Sequence, residues 1–326
     1  MTRLMDRTFW GLTIGLVAVI VLNFFLADWM VNIALETLSR GVVAIGLLIL
    51  WRTGLISFGH ALFFGFAAYT VVFMQMLGVN DIILLVIAGT LSAGLLAFVL
   101  GLLLKRYRAI YFALLNLAFS MILYGVLAKL ESLGSTDGIG VDQATFFGYA
   151  PSGDAYHLAL FVAAAIFAYI AAVGAHWYLK STLGMMTMAV RENEIRVEYL
   201  GYSAERAILV KYVISGVLAG LGGVLMALTI GHVDPDSMVY WPVSGDFVFI
   251  TILSGAGNVG ATFIGALVYE LLRTYAFEYA PEIWQLILGG SLLIIIMFLP
   301  DGLWSIGAEW RRRRTARAAS QPQAAE

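Results

Sequence analysis

The sequence lacks cysteine and is poor in charge. None of its 326 residues is a cysteine, which excludes disulfides and thiolate chemistry. Asp, Glu, Lys and Arg make up 12% of the chain, against about 25% in an average soluble domain. Apolar residues make up 61%, and the net charge of −2 gives no indication of nucleic-acid binding. This composition is typical of a protein embedded in a membrane.

Long stretches without any charged residue recur along the chain. A helix needs about 20 apolar residues to cross the hydrocarbon core of a bilayer. Eight runs of at least 18 residues contain no Asp, Glu, Lys or Arg: 8–27, 53–80, 82–104, 109–128, 155–179, 212–233, 247–269 and 283–300. Continuous runs favour helices over barrel strands, in which apolar residues alternate. We therefore predict an all-α, polytopic integral membrane protein.

The distribution of Lys and Arg orients the predicted helices. Positive residues concentrate on the cytoplasmic loops of membrane proteins. The basic sites are Arg3 with Arg7, Arg52, 105–108, 180–211, and 311–314 with Arg317. Placing these inside and the intervening connections outside requires ten crossings, with both termini cytoplasmic. The predicted crossings are about 9–27, 33–51, 55–77, 82–104, 109–128, 157–179, 207–231, 238–254, 259–275 and 283–299.

Two positions need special treatment in this scheme. The second helix contains Glu36 and Arg40, which are four residues apart and can neutralise each other on one helix face. The run 247–269 must split at residues 254–258, where glycines and an Asn fit a tight turn. Near the outer end of the ninth helix, Glu270 and Arg273 form an i,i+3 pair, for which we predict a structural role at the membrane interface.

The chain offers little chemistry of its own. It has no G-x-x-x-x-G-K-[ST] motif to hold ATP, and its four histidines are not in metal-ligand spacing. No catalytic residue, metal site or cofactor site is predicted, and the chain is not expected to be an enzyme. Few ionisable residues lie inside the helices, which disfavours an ion-driven pump. A passive or partner-driven path for a small solute remains.

One short segment is unusually rich in charge. Eight charged residues lie between Arg191 and Lys211, in the connection between the sixth and seventh predicted helices. Ser181 or Thr182 can cap a helix that ends at Gly201, and Ser203 can cap the next one. Met186, Val190, Val197 and Leu200 would share the apolar side of one amphipathic helix. Such a helix can be a solvated loop or a docking site for another protein, and both readings stay open here.

Several stretches, in order and at similar spacing, resemble one family. They are TGLISFGHALFFGFAAYT (53–70), IYFALLNLAFSMIL (110–123), STDGIG (135–140), RENEIRVEYLGYSAERAILVKYVISGVLAGLGGVLMAL (191–228), FITILSGAGNVGATFIGAL (249–267) and LPDGLW (299–304). The chain resembles permease subunits of branched-chain amino acid ABC importers. This resemblance implies a ten-helix fold similar to the type II, cobalamin-type importers, in a bacterial inner membrane.

The resemblance also implies partners and site residues. The connection at about 180–206 would be a coupling loop that docks on cytosolic ABC ATPase subunits through Arg191, Glu192, Asn193, Glu194, Arg196, Leu200 and Gly201. A periplasmic binding protein would dock near 135–138 and 232–242. A second, related permease is expected as a heterodimer partner within the lipid bilayer. The alternative is a self-sufficient secondary transporter or channel for a small neutral solute such as urea or an amide.

A further set of residues is predicted to serve helix packing or the translocation path: Gly54, Gly59, His60, Gly65, Gly255, Gly257 and Gly260. Glycine permits close contact between membrane helices. For His60, hydrogen-bonded packing among phenylalanines is favoured over contact with the solute. Residues 1–310 are predicted to form one transmembrane permease domain, and 311–326 a basic, disordered cytoplasmic tail.

Overall fold

The computed structural model of the protein describes residues 6–299 and 302–305, apart from the side chain of Thr187. The helices in this part are α1 Arg7–Asn23, α2 Asp28–Trp51, α3 His60–Met76, α4 Ile82–Leu104, α5 Ala109–Leu127, α6 Asp154–Lys180, α7 Thr182–Glu192, α8 Glu194–Tyr199, α9 Ala204–Ile230, α10 Pro235–Met238, α11 Trp241–Ser254, α12 Ala261–Tyr279 and α13 Trp284–Phe298. A short 3-10 helix spans Glu131–Leu133, and strands β1 Ile139–Gly140 and β2 His232–Val233 pair antiparallel. The predicted tail 311–326, with its arginines, and Arg3 lie outside the described residues.

A helix lies at each of the ten segments predicted from the sequence. Within the described residues, six helical stretches are long and apolar enough to span a bilayer: α2, α4, α5, α6, α9 and the combined stretch Pro235–Ser254. Helices α1, α3 and α13 are apolar but shorter. The protein is therefore a mostly helical, multi-pass membrane protein, as predicted.

The predicted start of the third helix, at residue 55, is wrong. Helix α3 begins only at His60, and residues 54–59 form an irregular segment. Gly54 turns the chain with φ +81°, and the Ser57 hydroxyl accepts a hydrogen bond from the Gly59 amide at 3.3 Å. A serine that bonds to its neighbouring backbone favours a turn over a continuing helix.

Helix α9 forms the centre of the molecule and packs most extensively against α2, α3 and α4. At Gly222 the backbones come close enough for the Ser39 hydroxyl of α2 to donate to the Gly222 carbonyl at 2.7 Å. At Gly223, a Cβ atom would lie 2.7 Å from the carbonyl carbon of Phe64 in α3. Small residues allow this approach, which matters because lipid supplies no hydrophobic force between helices.

The connections rich in Lys and Arg meet at one end of the bundle, which we call the basic end. Lys105, after α4, pairs with Glu205 of α9 at 3.1 Å. Arg52, after α2, donates to the Ala256 carbonyl at 2.6 Å in the connection between α11 and α12. The split of 247–269 is thereby confirmed, since α11 ends at Ser254 and α12 begins at Ala261.

Helix α1 is tied to the basic end of α6 by one carboxylate. Asp6, which caps α1, contacts Lys180 at 2.6 Å and His176 at 3.0 Å. The hydrogen bond from the Lys180 ammonium holds the pKa of the Asp6 carboxyl below its usual range. The first helix is thus fixed to the bundle by a charged contact as well as by packing.

The contact at Gly223 leads to a stability prediction. Gly223→Ala places a methyl group against the Phe64 backbone, which cannot move aside as a side chain would. We expect a loss of about 1–3 kcal/mol, the usual cost of overpacking, seen as a lower unfolding temperature of the purified protein in detergent. The control is Gly174→Ala in α6, where nothing lies within 4 Å of the new atom. Equal unfolding temperatures for the two variants would contradict the close packing of α9 on α3.

Candidate functional site

The charged segment between α6 and α9 folds as two short helices. Ser181 caps α7 by accepting from the Gly184 amide at 3.2 Å, and Ser203 caps α9, as predicted. The predicted single helix is wrong, because it breaks at Asn193, whose backbone is extended and whose side chain accepts from the Arg196 amide at 3.0 Å to start α8. Gly201 turns the chain after α8 with φ +85°, which confirms the predicted stop. We call residues 181–203 the α7–α8 segment.

A small apolar cluster holds the inner side of the α7–α8 segment. Val190, Val197 and Ala204 are buried together, and Met186 packs against them. Three of the four residues predicted to share this side are therefore placed correctly. Leu200 is the exception, since it is 75% exposed and lies on the outer surface.

Ion pairs join the α7–α8 segment to the connection between α4 and α5. Arg108 binds Glu194 with two hydrogen bonds, from Nη2 at 2.6 Å and from Nε at 3.0 Å. Both side chains are about one-third exposed. Two parallel bonds between a guanidinium and a carboxylate fix geometry as well as charge. The sequence analysis missed this pair, because Arg108 lies in the connection before α5 and Glu194, 86 residues later, lies in α8.

The outer surface of the α7–α8 segment carries both charge and apolar side chains. Of the residues predicted to contact a partner, Arg191, Glu192, Arg196 and Leu200 are exposed. Glu194 pairs within the chain, and Asn193 is engaged in capping. The sequence analysis also missed a group of large apolar side chains that are exposed beside these charges: Met185, Met188, Ile195, Tyr199 and Tyr202. Their spacing, which leaves apolar residues on both sides of α7, was the available signal. Exposed apolar patches of this kind mark contact sites.

His60 is fully buried at the first turn of α3. Its Nδ1 lies 3.0 Å from the Ser57 hydroxyl, and its Nε2 lies 2.6 Å from the Ser215 hydroxyl of α9. Both ring nitrogens therefore have a partner. This environment is that of a hydrogen-bonded packing residue.

The predicted glycines divide between helix contacts and loops. Gly59 and Gly65 lie where a Cβ atom would meet the backbone of Asn116 or of Met238. Gly54 lies below the aliphatic part of Arg191, whose Cγ would be 3.4 Å from a Cβ. The remaining three, Gly255, Gly257 and Gly260, lie in the connection between α11 and α12 at the basic end. A role of these glycines in a translocation path stays a prediction.

At the opposite end, the two segments predicted to receive a binding protein lie side by side. Ile139 pairs with Val233 through β1 and β2, and His232 Nε2 lies 3.1 Å from the Asp137 carbonyl. Among the described residues, no group of three His, Cys, Asp or Glu side chains could hold a metal ion.

Comparison with known proteins identifies the family of this chain. The sequence model of the family described as "Branched-chain amino acid transport system / permease component" matches residues 29–297. The high-affinity branched-chain amino acid transport system permease protein LivM of Escherichia coli is 28% identical over 88% of this chain and 74% of its own length. The ribose import permease protein RbsC of Haemophilus influenzae is 24% identical over 91% of this chain and 92% of its own. No solved structure gives a significant match.

The family match covers most of the described helices, including the whole α7–α8 segment. The two relatives match 88% and 91% of this chain and are transport permeases by name. The multi-pass helical bundle is the structure that a permease requires. The chain belongs to the family of branched-chain amino acid transport system permease components.

Proposed function

We propose that the chain is the membrane-spanning permease subunit of an ATP-driven ABC importer for branched-chain amino acids. The observation that carries this proposal is the α7–α8 segment, a charged and apolar docking surface at the basic end of a member of this permease family. ATP would be hydrolysed by separate cytosolic ABC ATPase subunits that grip this surface. A self-sufficient transporter or channel would not need such a surface, and the family description as a component of a transport system disfavours it.

The basic end is assigned to the cytoplasm. Arg52, Lys105, Arg106 and Arg108 lie there, and the positive-inside rule places such residues on the inner side. Ten crossings, with both termini cytoplasmic in a bacterial inner membrane, satisfy this assignment. We expect this topology to resemble that of the cobalamin-type importers.

This orientation indicates at which end of the bundle the binding protein and the ATPases would dock. A periplasmic binding protein would deliver the solute to the paired segments at 135–140 and 232–242. A second, related permease would complete the path as a heterodimer. The ATPase subunits would bind the exposed residues Arg191, Glu192, Arg196, Tyr199 and Leu200, through charge and apolar contact together.

The anchoring of the α7–α8 segment supports a route for transmission. Its apolar side is fixed to the start of α9, and Glu194 is fixed to Arg108 immediately before α5. Helix α5 is the least buried of the six long apolar stretches, so it is the span with the fewest contacts to break. Movement of the segment by the ATPases would therefore pass to α5 through the Arg108–Glu194 pair.

The docking surface can be tested at its most exposed aromatic residue. Tyr199→Asp puts a charge where apolar contact with the ATPase is proposed, and we expect at least about 2 kcal/mol of lost binding energy, as at an aromatic hot spot. The measurement is the amount of ATPase that co-purifies with the permease in mild detergent. Phe147→Asp is the matched control, because Phe147 is also 87% exposed but lies in the connection between α5 and α6. Equal retention of ATPase by both variants, or an active permease that purifies without any ATPase, would contradict the proposal.

The transmission route predicts rescue by a charge swap. Arg108→Glu and Glu194→Arg each place like charges together, and we expect each to lower ATP-dependent uptake of labelled leucine several-fold while ATP hydrolysis continues. The double variant restores the pair with reversed polarity and should recover most of the coupling. Arg106→Glu is the control, because its largely exposed guanidinium lies 3.8 Å from its carboxylate partner. Loss of uptake in the double variant equal to that in the single variants would remove the pair from the route.

A further inference from the structure

Five charged side chains form one network between α2, α11 and α12. Arg40 binds Glu270 through Nε and lies 3.5 Å from Asp246 and 3.8 Å from Glu36. Arg273 lies 3.8 Å from both Glu36 and Glu270. We call these five residues the Arg40 network. The two local pairs that the sequence predicted, one in α2 and one in α12, are therefore joined directly by the Arg40–Glu270 and Arg273–Glu36 contacts, and Asp246 of α11 adds a third carboxylate to Arg40.

Two members of the Arg40 network, Arg40 and Glu270, lie near the middle of their helices. Arg40 is twelve residues from the start of α2, about 18 Å along the helix at 1.5 Å per residue. Glu270 lies at the midpoint of α12. The predicted interfacial position of Glu270 and Arg273 is therefore revised for Glu270. Ionisable residues at this depth are rare and face protein, water or a solute pathway, because exposure to hydrocarbon is costly.

Three side chains of the Arg40 network are partly exposed, and we call the surface formed by Glu36, Asp246 and Arg273 its open side. The side chains of Arg40 and Glu270 are only 9% and 3% exposed. The other three are partly exposed, at 29% for Glu36, 24% for Asp246 and 37% for Arg273. Lipid tails cannot solvate these groups. In the working protein, the open side must therefore face water, a solute or another protein.

The Arg40 network has an excess of negative charge. Its three carboxylates face two guanidinium groups, and no third cation pairs with them in the part of the chain that the structure describes. The excess carboxylate can be neutralised by a cation that arrives from the open side. A second copy of this chain, docked through the same face, would bring two negative patches together, which is unfavourable.

We propose that the open side of the Arg40 network lines the solute path and supplies the counter-charge for an ammonium group of the solute. Glu36 and Asp246 are the carboxylates that would meet the ammonium group, while Arg40, itself paired with Glu270, contacts both of them from the buried side. The proposal rests on the proposed function for the identity of the solute as an amino acid. It adds a contact residue pair that selects solutes by their positive group.

The lack of cysteine makes a direct test possible, because an introduced thiol is the only one in the chain. Phe249→Cys places a reporter one turn from Asp246 on α11, at a side chain that is 37% exposed. In membranes of cells that express the complete transporter, we expect a cationic methanethiosulfonate to react roughly tenfold faster than an anionic one of similar size. Asp246→Asn should reduce this preference to about twofold. Val243→Cys, one turn before Asp246, provides a second reporter if the first variant does not insert.

A lipid-facing site provides the matched control. Leu95→Cys lies in the middle of α4, is 66% exposed in the isolated chain and has no charged residue on its helix. Because thiolate formation needs water, a cysteine that faces hydrocarbon should remain unlabelled. If the reporters near Asp246 are as unreactive as Leu95→Cys, or react equally with both reagents, the open side does not line a negatively charged aqueous path and the proposal is overturned.

Protection by small molecules tests the solute class. Leucine and leucinamide carry the ammonium group, whereas 4-methylpentanoate has the same carbon skeleton without it. We expect the first two to slow labelling of Phe249→Cys at least threefold at saturating concentration, and 4-methylpentanoate to leave it unchanged. Protection should be lost in Asp246→Asn, with Glu36→Gln as the second variant if the first does not insert. Equal protection by all three compounds, or by none, would overturn the assignment.

These measurements need no ATP, so they separate the two proposals. Cationic labelling preference and selective protection, combined with uptake that does not depend on ATP, would leave the network assignment standing and refute the importer. ATP-dependent leucine uptake together with an unreactive reporter would support the importer and refute the network assignment. Glu278→Gln, near the end of α12, is the control for Asp246→Asn and Glu36→Gln. It also removes one negative charge, but Glu278 is exposed and forms no ion pair among the described residues.

Discussion

The architecture depends on how closely α9 approaches its neighbours. In water, apolar side chains drive helices together, but in lipid they gain little by leaving hydrocarbon for protein, so van der Waals contact must do this instead. Residues without side chains at Gly222 and Gly223 let the backbone of α9 reach the carbonyls of Ser39 and Phe64. The same approach brings Ser215 of α9 to His60 of α3. Packing in the middle of the bundle therefore fixes α9 against α2 and α3.

The α7–α8 segment is held in place by contacts with the rest of the chain and not by the stability of its own helices. It has two short helices, and neither is long enough to be stable alone in water. It keeps its shape because caps begin each helix, because Val190 and Val197 are buried, and because Glu194 is held by Arg108. The exposed side chains, such as Arg191 and Glu192, form none of these anchoring contacts. Separation of anchoring residues from exposed ones is what a docking surface requires, and it distinguishes Glu194 from its neighbours Arg191 and Glu192.

The sequence predicted features that are local or that repeat along the chain. Charge alternation located the connections that meet at the basic end, and cap residues such as Ser181, Gly201 and Ser203 marked helix ends, because both signals act over a few residues. The break at Asn193 was missed, since an asparagine is compatible with a helix interior until its side chain captures an amide. The Arg108–Glu194 pair and the link from Arg40 to Asp246 were also missed. Such contacts depend on which helices are neighbours, and no spacing rule within one helix contains that information.

Helix α5 is attached to the rest of the protein by directional bonds at several depths. Arg108 holds its first end, Asn116 accepts from Tyr212, Ser120 donates to the Val239 carbonyl at 2.9 Å, and Tyr124 donates to Asp236 at 2.8 Å. A helix held by interlocking apolar side chains resists displacement smoothly, whereas each hydrogen bond is either made or exchanged for another partner. A shift of α5 would therefore occur in discrete steps. Each intermediate position would be set by which hydrogen-bond partners these four side chains can reach, so hydrogen-bond geometry limits the positions at which α5 can come to rest.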